Sequence, residues 1–318
     1  VSSAEQAPSL PAGYTHRPVT LDDVDVVAAM AGRSEAALGL REEAQEPFLR
    51  WALGLPYVVL HRDSVLVERD GGAAAFGGVM RDPAAAGSSL DWFGVVDPGH
   101  LGRSLGGWLV AWAFGVAAAR EPGEGPFEVR TNVPAPDVAA HRLLTSRGLA
   151  HVRTMWTMHR ELSEVTEGTR PDGVTIRAFE TGRDERTFWE VAETSFEGHY
   201  GHVPSPFESW EAEWYQADDW NPDAVLLAER EGAVVGELAW VGAGADGYIA
   251  SVGVLEAHRG RGIATALLRA AFADIAEAGH TSATLGVDTE NATGAVGLYR
   301  SVGMEQVRES HIFERTQP

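Results

Sequence analysis

The chain repeats itself. Gly13-Tyr14-Thr15-His16-Arg17-Pro18 is matched by Gly173-Val174-Thr175-Ile176-Arg177-Ala178, Gly102-Arg103-Ser104-Leu105-Gly106 by Gly260-Arg261-Gly262-Ile263-Ala264, and Arg147-Gly148-Leu149 by Val302-Gly303-Met304. The separations (173 − 13 = 160, 260 − 102 = 158, 303 − 148 = 155) hardly change along the chain. Three elements in one order at nearly one offset mean two copies of a single fold. A length of 318 residues holds two such copies, since domains run to ~100–200 residues. We therefore expect a flexible tail at 1–12, a first domain at 13–160, a polar linker at 161–172 and a second domain at 173–318.

In the second copy the periodicities predict strands over Val174–Ala178, Ala224–Glu229, Val234–Val241, Gly247–Leu255, Ala283–Val287 and Gln306–Glu314. Helices are predicted over Asp184–Ser195, Glu208–Tyr215, Ala264–Ala278 and Thr293–Ser301. Glu231-Gly232 between two apolar alternations is a hairpin signal. Strands and helices mixed around one sheet give an α/β fold of the α+β layered kind.

Composition narrows the function. The formal net charge is −21, which repels phosphate backbones and anionic lipid, so neither nucleic acid nor a membrane is an expected partner. No run nears the ~20 apolar residues of a membrane helix. Val1 to Ala12 lacks the basic start and apolar core of a signal peptide and reads as a loose tail; the absence of cysteine fits an expected place in the cytoplasm. There is no cysteine, which removes a thiolate nucleophile and a thiolate metal site; no metal is expected. The 25 Lys+Arg residues are all Arg, so no lysine can form a Schiff base.

One segment collects the features of an anion site. Val252-Gly253-Val254 ends a strand, and Arg259-Gly260-Arg261-Gly262-Ile263-Ala264-Thr265 opens the next helix. The first turn of a helix leaves ~4 backbone N–H groups unpaired. With the helix dipole they hold phosphate. Gly260 and Gly262 allow close backbone approach. Arg259 and Arg261 add forked donors, and Thr265 adds a hydroxyl. The dinucleotide pattern G-x-G-x-x-G does not fit, and a P-loop needs a lysine.

This segment resembles the R/Q-x-x-G-x-G/A signature of the GNAT superfamily of N-acetyltransferases, here Arg259-x-x-Gly262-x-Ala264. Val252 and Val254 precede it, and Asn291 and Tyr299-x-x-x-Gly303-Met304 follow it, at that family's spacing. The first copy is a worn version, with Leu101 for Arg259, Ser104 for Gly262 and Leu144 for Tyr299. The tandem arrangement, together with Phe196-Glu197-Gly198-His199-Tyr200-Gly201 and Trp220-Asn221-Pro222-Asp223, is similar to the mycothiol synthase group of that superfamily.

The resemblance implies two GNAT-like domains, each a mixed, mostly antiparallel sheet flanked by helices, the second one catalytic. It implies acetyl-CoA, or another acyl-CoA, as co-substrate, and direct attack by a small-molecule primary amine. The loop Arg259, Gly260, Arg261, Gly262, Ile263, Ala264 and Thr265 would hold the cofactor; the backbone of Val252 and Val254 would bind pantetheine and polarise the thioester. Asn291 would bond the cofactor's arm, and Tyr299 would protonate the leaving thiolate. Many family members place a glutamate base eleven residues before the motif arginine, where this chain has Tyr248. Glu237 on the preceding strand is the first candidate base. Glu197, His199, Tyr200 and Tyr248 are candidates for the acceptor site. A longer acyl chain, a CoA sensor without turnover, and a monomer or a homodimer all stay open at this point.

Overall fold

A computed structural model describes residues 9–41, 45–81, 89–119, 127–163, 171–211, 221–291 and 293–317. Along the chain these form β1 (Thr15–Arg17), α1 (Val24–Ala37), α2 (Gln45–Gly54), α3 (Leu60–Asp63), β2 (Ser64–Arg69), β3 (Gly72–Met80), β4 (Leu90–Val96), α4 (Leu105–Ala119), β5 (Phe127–Pro134) and α5 (Val138–Ser146). There follow β6 (Ala150–Glu161), β7 (Val174–Ala178), α6 (Glu185–Phe196), α7 (Phe207–Trp210), β8 (Val225–Arg230), β9 (Ala233–Ala243), β10 (Asp246–Val254), α8 (Ile263–Glu277), β11 (Ser282–Asp288), α9 (Ala295–Ser301) and β12 (Glu305–Gln317). Apart from the extra short helix α3, the order of elements is the same twice over. The predicted helix at Glu208–Tyr215 begins as α7, and its second half lies outside the described residues.

The chain divides into two compact units, residues 1–154 with 310–318, and residues 155–309. The boundaries read from the sequence, 13–160 and 173–318, differ from these at the closing strands. Ser310–Gln317 of β12 pairs with β5 in the first unit, whereas Met155–Glu161 of β6 pairs with β11 in the second. Backbone hydrogen bonds hold either strand, and side-chain alternation does not encode which sheet edge receives it. Most of the proposed linker, 164–170, lies outside the described residues.

In the second unit β7, β8, β9 and β10 are joined antiparallel in sequence order, β10 runs parallel to β11, and β11 runs antiparallel to β6. Both faces are covered, so β8 is apolar at every position from Val225 to Ala228. Leu226 and Ala228 join the core beneath α8, with Leu267, Leu268 and Phe272. Val225 and Leu227 point the other way, to Phe188 of α6 and Trp210 of α7. The first unit repeats the plan: Val65 and Val67 pack with Leu105 and Leu109 of α4, and Leu66 with Val27 and Met30 of α1.

Each unit also fastens its first strand in the same way. Arg17 donates to Asp23 and Glu68, and Arg177 donates to Asp184 and Glu229. These charge-assisted pairs tie the edge strand to the start of the first helix region and to the next strand. Asp184 is buried beside the Arg177 guanidinium, and burial would raise its carboxyl; the arginine and the Glu180 amide reverse this and hold it below the usual carboxylate range.

Candidate functional site

The candidate site of the second unit is where β10 and β11 part. The two strands pair only at Asp246–Ser282, Gly247–Ala283 and Tyr248–Thr284. β10 then continues to Val254 and β11 to Asp288 without pairing to each other. A β-bulge between Ile249 and Ser251, seen against β9, bends β10 just past the point of parting. The edge of β10 at Val252 and Val254 is thus left unpaired by β11.

The end of β10 leads into the glycine-bearing loop. Gly260 has φ +73° and Gly262 φ +78°, left-handed conformations that glycine adopts without steric cost. Gly262 is the N-cap of α8, and its carbonyl accepts from the Ala266 amide. The amides of Ile263, Ala264 and Thr265 thus form the open first turn. Arg259 is engaged otherwise than its charge suggests. Its Nε donates to Val254 O at 2.9 Å and its Nη2 to Ser195 O at 3.0 Å, which pins the loop to the end of β10 and to the last turn of α6. Arg261 is exposed, and Asn291 Oδ1 is taken by Thr293 N at 2.9 Å and Thr293 Oγ1 at 2.8 Å.

Two titratable groups sit behind this edge. Glu237 on β9 is 0% exposed, opposite Gly253 of β10. Burial pushes its carboxyl up to about 7, against the Ser251 hydroxyl, which donates to Oε2 at 2.7 Å. Oε1 has no partner. Tyr299 on α9 is 8% exposed. Burial, then the charges of Glu237 and Tyr248, push its phenol up to about 12. Tyr248 is 40% exposed, with its hydroxyl 3.6 Å from where a Cβ on Gly286 would stand. Tyr299 is therefore near enough to Glu237 and Tyr248 to feel their charge. Glu197 is exposed at the C-cap of α6, and His199 and Tyr200 are half-buried in the loop beyond it. His199 Nδ1 is buried without a partner.

The first unit keeps the loop backbone but carries different side chains around it. Gly102 and Ser104 have φ +72° and +64°, the same turn with serine in place of the second glycine. Leu101 stands 61% exposed where Arg259 makes its two bonds. The register opposite β4 pairs Phe76 with Val95 where the second unit pairs Glu237 with Gly253, and it shows no bulge. Where Tyr248 faces Thr284, the first unit has Asp91 facing Arg130, closed by an ion pair at 2.6 Å.

Three serine and glycine positions carry weight here that the sequence did not single out: Ser195, Ser251 and Gly253. A Cβ on Gly253 would lie 2.6 Å from Glu237 Oε1 and 2.7 Å from Ser195 Cβ, so only glycine lets the carboxyl and α6 approach. The hydrophobic alternation of β10 hides this, because a glycine in a strand signals close approach without naming the neighbour.

Residues 187–304 match the model of the acetyltransferase (GNAT) family. The chain is 32% identical over 260 residues to the mycothiol acetyltransferase of Thermomonospora curvata, covering 80% of this chain and 83% of that protein. The chain belongs to the GNAT acetyltransferase family. It is an acyl-CoA-dependent N-acetyltransferase, as the motif resemblance implied. A GCN5-related N-acetyltransferase from Sphaerobacter thermophilus superposes with TM-score 0.84 at 31% identity, covering 98% of both chains. A tandem GNAT protein from the clavulanic acid biosynthesis pathway shares the fold, with TM-score 0.70 at 16% identity over 96% of this chain and 99% of the other. Among the described residues no helix is long and apolar enough to cross a membrane.

Proposed function

We propose that the second unit transfers the acetyl group of acetyl-CoA to a primary amine of a small molecule, by direct attack on the thioester. The parting of β10 from β11 at Tyr248 and Thr284 carries this reading. It opens a backbone edge for the pantetheine arm, in line with a helix start that suits the pyrophosphate. Val252 and Val254 supply the edge, the amides after Gly262 hold the phosphates, and Arg259 keeps both in place through Val254 O and Ser195 O.

Glu237 takes a proton from the attacking amine, and Tyr299 hydrogen-bonds the departing sulfur. The C–N bond forms as the C–S bond breaks, and no enzyme atom is acylated. A carboxyl near 7 is half ionised at neutral pH, which suits a base of this kind. The exposed Glu197 lacks that environment, so it and His199, Tyr200 and Tyr248 are assigned to the acceptor's surroundings. The first unit, with Phe76 and Leu144 in place of Glu237 and Tyr299, does no chemistry.

The relatives named mycothiol acetyltransferase make the amine whose acetylation gives mycothiol the first acceptor to test. Free thiol release from acetyl-CoA is measured with that amine, amino-acid amides, amino sugars and polyamines, then with longer acyl-CoA donors. Amine-dependent release with acetyl-CoA is the expected result. Release only with a long-chain donor, or none with any amine, would overturn the proposal.

The cofactor loop gives a graded prediction. Ser104 shows that serine tolerates the left-handed turn, so Gly262→Ser is expected to hold CoA within ~10-fold of the parent. Gly262→Val forces a β-branched residue to φ near +78°, at a strain of about 1–3 kcal/mol, and should weaken CoA roughly 10–100-fold. Calorimetric titration with CoA checks both.

A further inference from the structure

Ser195 is the last buried residue of α6, at 3% exposure, and its hydroxyl has no partner. Glu237 Oε1, also buried, has none either. The two orphans face the same spot. The point where a Cβ of Gly253 would stand is 2.6 Å from Glu237 Oε1 and 3.0 Å from Ser195 Oγ. One atom is a donor in need of an acceptor, and the other is an acceptor in need of a donor. A buried hydroxyl left unpaired is costly, and alanine in its place would avoid that cost. Buried polar groups are paired in the great majority of cases, often through an ordered water.

The serine is also held in place from outside. Arg259 Nη2 donates to the Ser195 carbonyl at 3.0 Å while its Nε donates to Val254 O. The arginine of the cofactor loop thereby fixes the end of α6 against β10. On the other side of the carboxyl, Ser251 holds Oε2 at 2.7 Å. Oε2 is thus committed to Ser251, and Oε1 is the oxygen left to accept a proton. The first unit lacks the carboxyl of this arrangement, with Phe76 and Val95 at the places of Glu237 and Gly253.

We propose that Ser195 is a positioning residue for the base, its hydroxyl donating to Glu237 Oε1 directly or through one water and aiming that oxygen at the acceptor's nitrogen. The proposal rests on the reading of Glu237 as the base. During transfer the amine proton passes to Oε1, leaving the neutral carboxylic acid; the serine keeps its own proton, or hands it to Oε1 as it receives the amine's. Either way one proton leaves nitrogen and one arrives on Oε1.

The test needs no acceptor in its first arm. Infrared pH titration of the free full-length protein follows the carbonyl band of the buried protonated carboxyl, assigned by its loss in Glu237→Gln. A hydroxyl that donates to the carboxylate stabilises the charged form. Ser195→Ala should therefore move the midpoint up by about 0.5–1 pH unit, with the thermal midpoint not lowered near pH 5, where the carboxyl is protonated in both proteins. The second arm uses acetyl-CoA and the fastest amine of the panel above. Ser195→Ala should lose kcat roughly 10-fold or more with KM for acetyl-CoA unchanged, and Ser195→Ala/Glu237→Gln should be no slower than Glu237→Gln alone. An unmoved infrared midpoint overturns the role of Ser195, and so does a double variant slower than Glu237→Gln. Parental activity in Glu237→Gln overturns the base instead, a separate outcome from the infrared arm.

Discussion

Glu237→Gln is expected to lower kcat by ~10²–10⁴, the usual worth of a positioned general base, while CoA binding stays within a few-fold of the parent. The substitution keeps the shape of the side chain and its contact with Ser251, and removes only the oxygen that accepts the proton. In the parent, kcat/KM should rise with pH and level off above a midpoint near the carboxyl's value of about 7, because the ionised form is the active one. The rising limb should be missing in Glu237→Gln. Steady-state rates from pH 5 to 9 with saturating acetyl-CoA give both quantities, and a retained limb near 7 would assign it to another group.

The same carboxyl makes a stability prediction whose sign is fixed. In the folded chain it holds its proton up to about pH 7, whereas the unfolded chain releases it near 4.5. Between those values the folded state binds the extra proton, so stability falls as pH rises through this window and is flat above it. The ionised carboxylate then costs about 3 kcal/mol relative to an exposed one. Glu237→Gln should melt higher than the parent at pH 8 and level with it near pH 4.5. Less activity together with more stability at pH 8 distinguishes a base kept in an unfavourable place from a residue kept for packing.

The repeat and the element order were legible because they rest on local pattern. β7 occupies Val174–Ala178 as its alternation predicts, and α8 and β11 start and stop within one residue of their periodic segments. The exchange of closing strands was not legible, since β6 and β12 both alternate and each fits either sheet edge. At the site, Gly262 could be read from the need for a bare backbone at a helix start. The use of Arg259 could not, because its charge suggests phosphate, while its bonds to Val254 O and Ser195 O depend on where α6 ends. Gly253 and Ser195 are short side chains 58 residues apart (253 − 195 = 58), and only the packing of α6 on the bulged β10 makes them neighbours of one carboxyl.

Tyr299→Phe is expected to lower kcat by ~10², the low end of general-acid effects, with KM for acetyl-CoA little changed. The reason lies in how its proton is tuned. A free thiol has a pKa of ~8.5, so a phenol pushed up to about 12 would not hand over its proton downhill. It can still donate a hydrogen bond to sulfur as charge builds, an interaction that exists only in the transition state. The charge of Glu237 is the second cause of that high value, after burial. Once Glu237 has taken the amine's proton this cause vanishes, and the phenol becomes more acidic at the moment the thiolate leaves. Acid and base are thus coupled, because the proton gained at Glu237 strengthens the hydrogen bond that Tyr299 gives to the sulfur. Two variants acting on one coupled step should not be additive, so Glu237→Gln/Tyr299→Phe should fall short of the product of the single losses. Single-turnover rates for the four proteins at pH 8, with thermal midpoints beside them, measure this. A Tyr299→Phe chain with parental turnover would leave solvent as the proton donor and reduce the buried ring to packing.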